Sequence, residues 1–241
     1  MGQTRFTGPV KSDAGFRFDT AGSTGEAVGD LTWNAEDGTV NVTMPNDVPL
    51  QVGQEMFFLA RNQTGSTIPN GSVVMFAGSI GNSGRLKMQP AIASAVIPPV
   101  YVMGVVTHDV PNGSNGYVTE FGLVREIDTR GGAENWQDGD ILYVSGATAG
   151  KLTNVPPTSP IPQISVAAVT NAAKNGNIFV RPTFPAAMDQ LSDVRITSPQ
   201  NGDTLKYNAS GGYWYNTSFL FYVDQRDLHV QSIARRDRPV C

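Results

Sequence analysis

Cysteine is almost missing from this 241-residue chain: the one present, Cys241, is the last residue. An intramolecular disulfide is therefore excluded, and folding is not expected to depend on an oxidising compartment. Histidine is nearly as scarce, with only His108 and His229. A zinc cage of Cys and His lacks ligands, and a Cys-His nucleophile pair would need a thiol on a chain end, which is rarely rigid enough. Charge is sparse as well, at 16% of residues, with a formal net charge of -4 and a pI near 5.1. Such a chain has no basic footprint for duplex nucleic acid or an anionic membrane surface, so neither is expected as a partner. No apolar run approaches the roughly 18 residues of a membrane-spanning helix. The opening MGQTRFTGPV lacks the apolar segment of a secretory signal, so synthesis in a cytosol is expected.

The usual catalytic signatures are missing too. There is no Gly-x-Ser-x-Gly elbow, His-Glu-x-x-His, phosphate loop ending in Lys-Ser/Thr, or Gly-x-Gly-x-x-Gly after a strand. No catalytic residue, metal site or cofactor is expected. Six Asn-x-Ser/Thr sequons, at Asn41, Asn62, Asn70, Asn112, Asn208 and Asn216, reflect Asn/Ser/Thr-rich composition where no secretion signal precedes them.

Turns are abundant: the chain has 26 glycines and 16 prolines, which suits short strands and argues against a helical protein. An Asn-Gly or Asp-Gly pair opens a short alternating segment three times, in IPNGSVVMFAG (68–78), WQDGDILYVSG (136–146) and QNGDTLK (200–206). Around the first two, the order of elements repeats. Gly71 corresponds to Gly139, Gly84 to Gly150, residues 101–107 to 164–170 and Gly116 to Gly176, at an offset shrinking from 68 to 60 residues. Two copies of one β unit with different loop lengths produce such a drift.

The fold class expected is all-β: duplicated small barrel or sandwich units at about 68–128 and 136–182 inside a β domain over 31–185. An extended N-terminal arm over 1–30 precedes it, with Phe6, Phe16 and Phe18 as apolar anchors in Gly/Ser/Thr-rich text that cannot bury enough surface alone. A hairpin module and tail over 186–241 follows. LTWNAEDGTVNVTM, centred on Asp37-Gly38, predicts a hairpin with a two-residue turn. AAMDQLSDV predicts a turn or two of helix.

Three side-chain groups invite a functional reading. Asp138 with Asp140, and Glu126 with Asp128, are two residues apart, so on a strand each pair would share a face as paired acids do in glycoside hydrolases. The plainer reading makes Asp138 and Asp140 turn residues bonding their own backbone, and Glu126 and Asp128 a strand end. Calcium binding by Asp138 and Asp140 lacks the EF-hand loop. Tyr207, Tyr213, Trp214 and Tyr215 cluster by a predicted turn, either as a sugar-stacking platform or as the core or subunit contact of a small hairpin module. Arg235, Arg236 and Arg238, interrupted by Asp237, read as a solvated end or a salt-bridging contact.

LTWNAEDGTVNV, GQEMFFLARNQTGSTIPNGSVVMFAG, GYVTEFGLVREIDT, W-x-DGDILYVS and IFVRP together resemble a module of virion structural proteins of tailed bacteriophages, including tail fibre proteins. LSDVRITSPQNGDTLKYNASGGYW resembles a second short module of phage fibre and particle proteins, and RFTGPVKSDAGF is similar to the N-terminal arms of small particle proteins. The resemblance implies a non-enzymatic component of the virion, made in the host bacterial cytoplasm. It further implies a homotrimer bound to itself and to other capsid, tail or neck proteins. Long fibres carry a receptor-binding tip after such modules, whereas this sequence ends about 30 residues past NGDTLKYN. The expectation is therefore a short appendage, a head decoration or an anchoring piece, with binding of a host receptor or surface glycan as the alternative.

Overall fold

The computed structural model describes residues 7–9, 12–18, 27–94, 101–184, 188 and 191–218. The chain is all-β and divides into two units, Met1–Pro185 and Ala186–Cys241. Of the arm anchors, Phe16 is exposed and Phe18 half-buried, while Phe6 lies outside the described residues, as do His229, Arg235, Arg236, Asp237, Arg238 and Cys241.

The first unit opens with an antiparallel sheet of three strands, β1 (Leu31–Asn34), β2 (Thr39–Met44) and β3 (Val48–Gln51). Its first hairpin corrects the expected two-residue turn. Asn34 pairs with Thr39, so the loop is residues 35–38. The reason is the side chain of Asn34: its Oδ1 accepts the backbone N–H groups of Glu36 and Asp37, and its Nδ2 donates to Asp37 Oδ2 at 2.8 Å. An Asx side chain that satisfies the loop's donors competes with the tight turn that Asp-Gly would otherwise favour.

Nine further strands form one sheet: β4 (Met56–Asn62), β5 (Val73–Ile80), β6 (Arg85–Pro90), β7 (Val102–Val106), β8 (Asn115–Ile127), β9 (Ile141–Val144), β10 (Leu152–Thr153), β11 (Ser165–Asn171) and β12 (Gly176–Thr183). Strands β8, β4, β6, β5 and β7 follow one another in pairing, and β7 returns to β8 through Val105 opposite Thr119 and Val106 opposite Val118. That closes a five-stranded barrel, completed by one parallel contact of β4 with β6 at Arg61–Lys87 and Asn62–Met88. Closure removes the unpaired strand edges of the first repeat.

The second repeat copies the antiparallel pairings of the first but not its parallel closing one, since among the described residues β10 pairs only with β9. Strand β9 pairs with β10 and β11 as β5 pairs with β6 and β7, and β11 pairs with β12 as β7 pairs with β8. Strand β8 then pairs with β12 as β4 pairs with β8. The two repeats are therefore joined rather than independent: β8 is the last strand of one and the first of the next. Its residues 115–121 pair with β4 and its residues 122–127 with β12, which explains its 13-residue length. Gly122 lies at the changeover, where a Cβ would meet Glu55 Cγ at 2.6 Å.

Two buried side chains occupy equivalent places in the two repeats. Asn62, at the end of β4, donates from Nδ2 to the carbonyls of Ser66 and Val110 at 2.8 Å each. Thr129, just after β8, donates from Oγ1 to the carbonyl of Asn171 at 2.6 Å, and accepts the N–H of Ala173 at 3.0 Å. Each satisfies backbone groups at the loop that follows the fourth strand of its repeat, β7 in the first and β11 in the second, groups that would otherwise be buried without partners.

The apolar side chains sort into two cores. Ala60, Ile68, Val74, Met88, Met103, Val106, Val110 and Val118 fill the barrel. Val73, Val102, Val105, Val124, Leu142, Val144, Val166, Ile178 and Val180 pack between the barrel wall and the second repeat. Strand β7 is buried along its whole length because Met103 and Val106 face one core while Val102 and Val105 face the other. A strand covered on both sides reads as a continuous apolar run, as VMGVV does.

The second unit holds a three-stranded sheet, with β15 (Tyr213–Ser218) between β14 (Asp203–Asn208), antiparallel, and β13 (Val194–Arg195), parallel. Of the predicted helical stretch, only Met188 and residues 191–194 are described; the carbonyl of Met188 accepts the N–H of Leu191, and that of Leu191 the N–H of Val194.

Candidate functional site

The three Asn-Gly and Asp-Gly segments fold alike. In each, the backbone N–H of the fourth residue donates to the carbonyl of the first: Ser72 to Pro69, Asp140 to Gln137 and Asp203 to Gln200, all at 3.1 Å. The glycine is third, with φ of +77° at Gly71, +90° at Gly139 and +89° at Gly202, and the residue before it is not in the left-handed region. One positive φ at the third position is the pattern of a type II turn, not of the two-residue hairpin turn in which both central residues are left-handed.

The acids of the second and third turns are consumed by this geometry. Asp140 Oδ2 accepts the N–H of Gln137 at 2.9 Å and Nδ2 of Asn154 at 2.8 Å. Asp203 Oδ2 likewise accepts the N–H of Gln200 at 3.0 Å and Nδ2 of Asn216 at 2.8 Å. These bonds to the ionised form, the backbone one foremost, hold both carboxyls below the usual aspartate range. Asp138 Oδ1 accepts the N–H of Ala172 at 2.6 Å. Asp138 and Asp140 thus brace a turn against its neighbours, and among the described residues no group of three or more His, Cys, Asp or Glu could hold a metal ion.

Glu126 sits at a φ of +58°, at an irregularity in the pairing of β8 with β12. Asp128 is gripped by Arg130, whose Nε and Nη2 donate to its two oxygens at 2.8 and 2.6 Å. Those bonds, with the Arg130 N–H, hold the Asp128 carboxyl down at about 2. His108 is also occupied: its Nε2 accepts the N–H of Tyr117 at 3.2 Å, which leaves Nδ1 to donate to the carbonyl of Asp109 at 2.8 Å.

The predicted aromatic cluster separates into two pairs. Tyr207 lies opposite Trp214 in the register of β14 and β15, with ring centroids 5.2 Å apart and planes at 52°, and both rings are about half exposed. Tyr213 and Tyr215 alternate with Trp214 along β15 and so lie on the other face, centroids 6.3 Å apart. There the Arg195 guanidinium stands 4.0 Å from the Tyr213 ring centroid, a cation–π contact that secures β13 to the sheet. The four rings thus divide into one exposed pair and one pair braced by Arg195.

Two concavities of the first unit are absent from the sequence-based expectations. A polar cleft of about 520 Å³ lies beside the β2–β3 turn and is lined by Asn46, Asp47, Asn70, Thr107, His108 and Glu126 among others. Asn46, Asp47 and Glu126 are non-glycine residues at positive φ, and Asn70 Oδ1 and Thr107 Oγ1 are buried without hydrogen-bond partners. The second is an apolar groove of about 530 Å³ containing Phe58, Phe76, Tyr101 and Glu120, continuous through Tyr101 and Glu120 with a smaller cleft containing Arg181 and Phe184. The Tyr101 ring stands edge-on to Phe76 at 6.3 Å and stacks on Phe184 at 6.2 Å, with planes 18° apart. Only topology brings positions 76, 101 and 184 together, and no local pattern in the sequence marks them as a set.

No protein-family model matches the chain, and no curated protein matches it. Among solved structures it is similar to the crystal structure of the head fiber gp8.5 N base in bacteriophage phi29. The match has 16% identity, covers 55% of this chain and 99% of that one, and has a TM-score of 0.32.

Proposed function

We propose that this chain is a non-enzymatic structural component of a tailed-bacteriophage particle, assembling as a symmetric oligomer, a trimer by resemblance, on the head or tail as a short fibre, decoration or anchoring protein. The observation that carries this reading is the duplicated β scaffold itself, whose residues resemble modules of phage virion proteins. In both repeats polar side chains, Asn62, Thr129, Asp128, Asp138 and Asp140 among them, are spent on backbone and ion-pair bonds. Side chains committed in this way rigidify a framework. Immunogold electron microscopy of purified particles from the phage or lysogen that encodes the chain tests the role. Label at one fixed position on intact particles is expected, and label confined to the lysate would refute it.

A second reading, binding of a host receptor or surface glycan, is favoured by the exposed Tyr207–Trp214 pair, whose faces offer stacking surface to a sugar ring. Saturable binding on a glycan array, lost in a folded Trp214→Ala variant, would support it; absence of binding removes it.

A further inference from the structure

The groove along Phe76, Tyr101 and Phe184 is an unusual thing for the outside of a small barrel to carry. The side chains of Phe76, Tyr101, Phe184 and neighbouring Met56 are 40%, 66%, 51% and 59% exposed. An aromatic side chain has about 150–250 Å² to bury, so rings half in water form a contiguous apolar patch of several hundred Å², the size that marks a contact surface on a soluble protein. The patch is built, not incidental: the Tyr101 carbonyl accepts the N–H of Phe76 at 2.9 Å, and Tyr101 aligns both neighbouring rings.

Glu120 and Arg181 complete it. Both are exposed and line the same cleft beside Tyr101, and neither has an ion-pair partner among the described residues. An apolar centre flanked by one unpaired acid and one unpaired base can complement a second copy of itself: the acid of one subunit meets the base of the next while the rings are covered. An acidic or basic partner of a different kind would satisfy one of the two charges and leave the other facing its own sign or nothing.

We infer that this groove is the contact between copies of this chain, with Glu120 of one copy paired to Arg181 of another across the Phe76–Tyr101–Phe184 stack. The inference rests on the self-assembly reading above and names the surface responsible. The test is sedimentation equilibrium of the full chain and of Glu120→Arg, Arg181→Glu, the double reversal and Tyr101→Ser, each checked for folding by circular dichroism. Each single reversal is expected to weaken association about tenfold or more, the double reversal to restore it to within about threefold, and Tyr101→Ser to weaken it without touching either charge. A wild-type oligomer unchanged by all four variants would overturn the groove as the contact and leave self-assembly standing, its rings then being cover for another segment or another protein. A wild-type monomer at every concentration would overturn both.

Discussion

The barrel closes where β7 meets β8, and one atom decides whether it can. Gly104 sits at a φ of +141°, and a Cβ placed there would lie 2.0 Å from the carbonyl oxygen of Thr119 and 2.8 Å from its carbon. These are backbone atoms of the adjoining strand, so relief requires β8 to move by about 1 Å against a core packed on both sides of β7. Gly104→Ala therefore incurs two costs. The disfavoured backbone conformation contributes about 1–3 kcal/mol, and the overlap about 1–3 kcal/mol more, for an expected loss of about 2–6 kcal/mol. The control is Gly113→Ala, which shares a left-handed φ, +80°, but has no heavy atom within 4 Å of the added Cβ. It should cost about 1 kcal/mol. Urea denaturation followed by tryptophan fluorescence reports both, because Trp136 packs against the main core. A difference between the two variants below about 0.5 kcal/mol, comparable with the error of linear extrapolation, would refute the claim that strand contact at Gly104 closes the barrel.

Other outcomes follow from the same structure. Arg125 donates to the buried Glu55 at 2.7 Å and to Gln51 at 2.7 Å, linking the N-terminal sheet to β8. Arg125→Met should cost about 2–4 kcal/mol by stranding the Glu55 charge, and a Glu55→Leu/Arg125→Met double variant should cost less than that single one in the same urea assay. Thr129→Val keeps the shape but leaves buried backbone groups of the 171–173 loop unpaired, for a loss of about 1–3 kcal/mol and faster amide exchange at Ala173. With pH, the sign is fixed by carboxyls whose folded values are lowered. Asp128 is brought to about 2 by Arg130. Asp140 and Asp203 are lowered by their turn bonds, and Glu134 too, where bonds from Thr153, Trp136 and Asn154 outweigh the raising effect of burial. Their stabilisation is fully present above the unfolded carboxyl range near pH 4 and is lost as pH falls through the folded values. The urea midpoint should thus hold from pH 7 to about 5 and drop between about 4 and 2, with a shallower drop in Arg130→Ala.

Much of this architecture was legible in the sequence where the cause is local. Gly71, Gly139 and Gly202 mark their turns because only glycine enters the left-handed region there without strain, and the alternating residues after them pair as strands. The all-β class and the repeated order of elements follow from such signals. Joining of the repeats through β8 was not legible, since GYVTEFGLVREI reads as one strand whether it serves one sheet neighbour or two in succession. The loop at residues 35–38 escaped because Asn34, four residues before Gly38, outcompetes the tight turn. At the candidate site, the split of Tyr213 and Tyr215 from Trp214 was available from strand alternation alone. The grouping of Phe76, Tyr101 and Phe184 was not, because it depends on which ends of β5, β7 and β12 meet.

The most direct measurement is the copy number of this chain per particle, by quantitative peptide mass spectrometry of gradient-purified virions normalised to the major shell protein. A self-assembling virion component is expected at a fixed copy number that survives repeated banding and is a multiple of the oligomer found in solution. Absence of the chain from banded particles, or an amount that falls with each purification step, would contradict it.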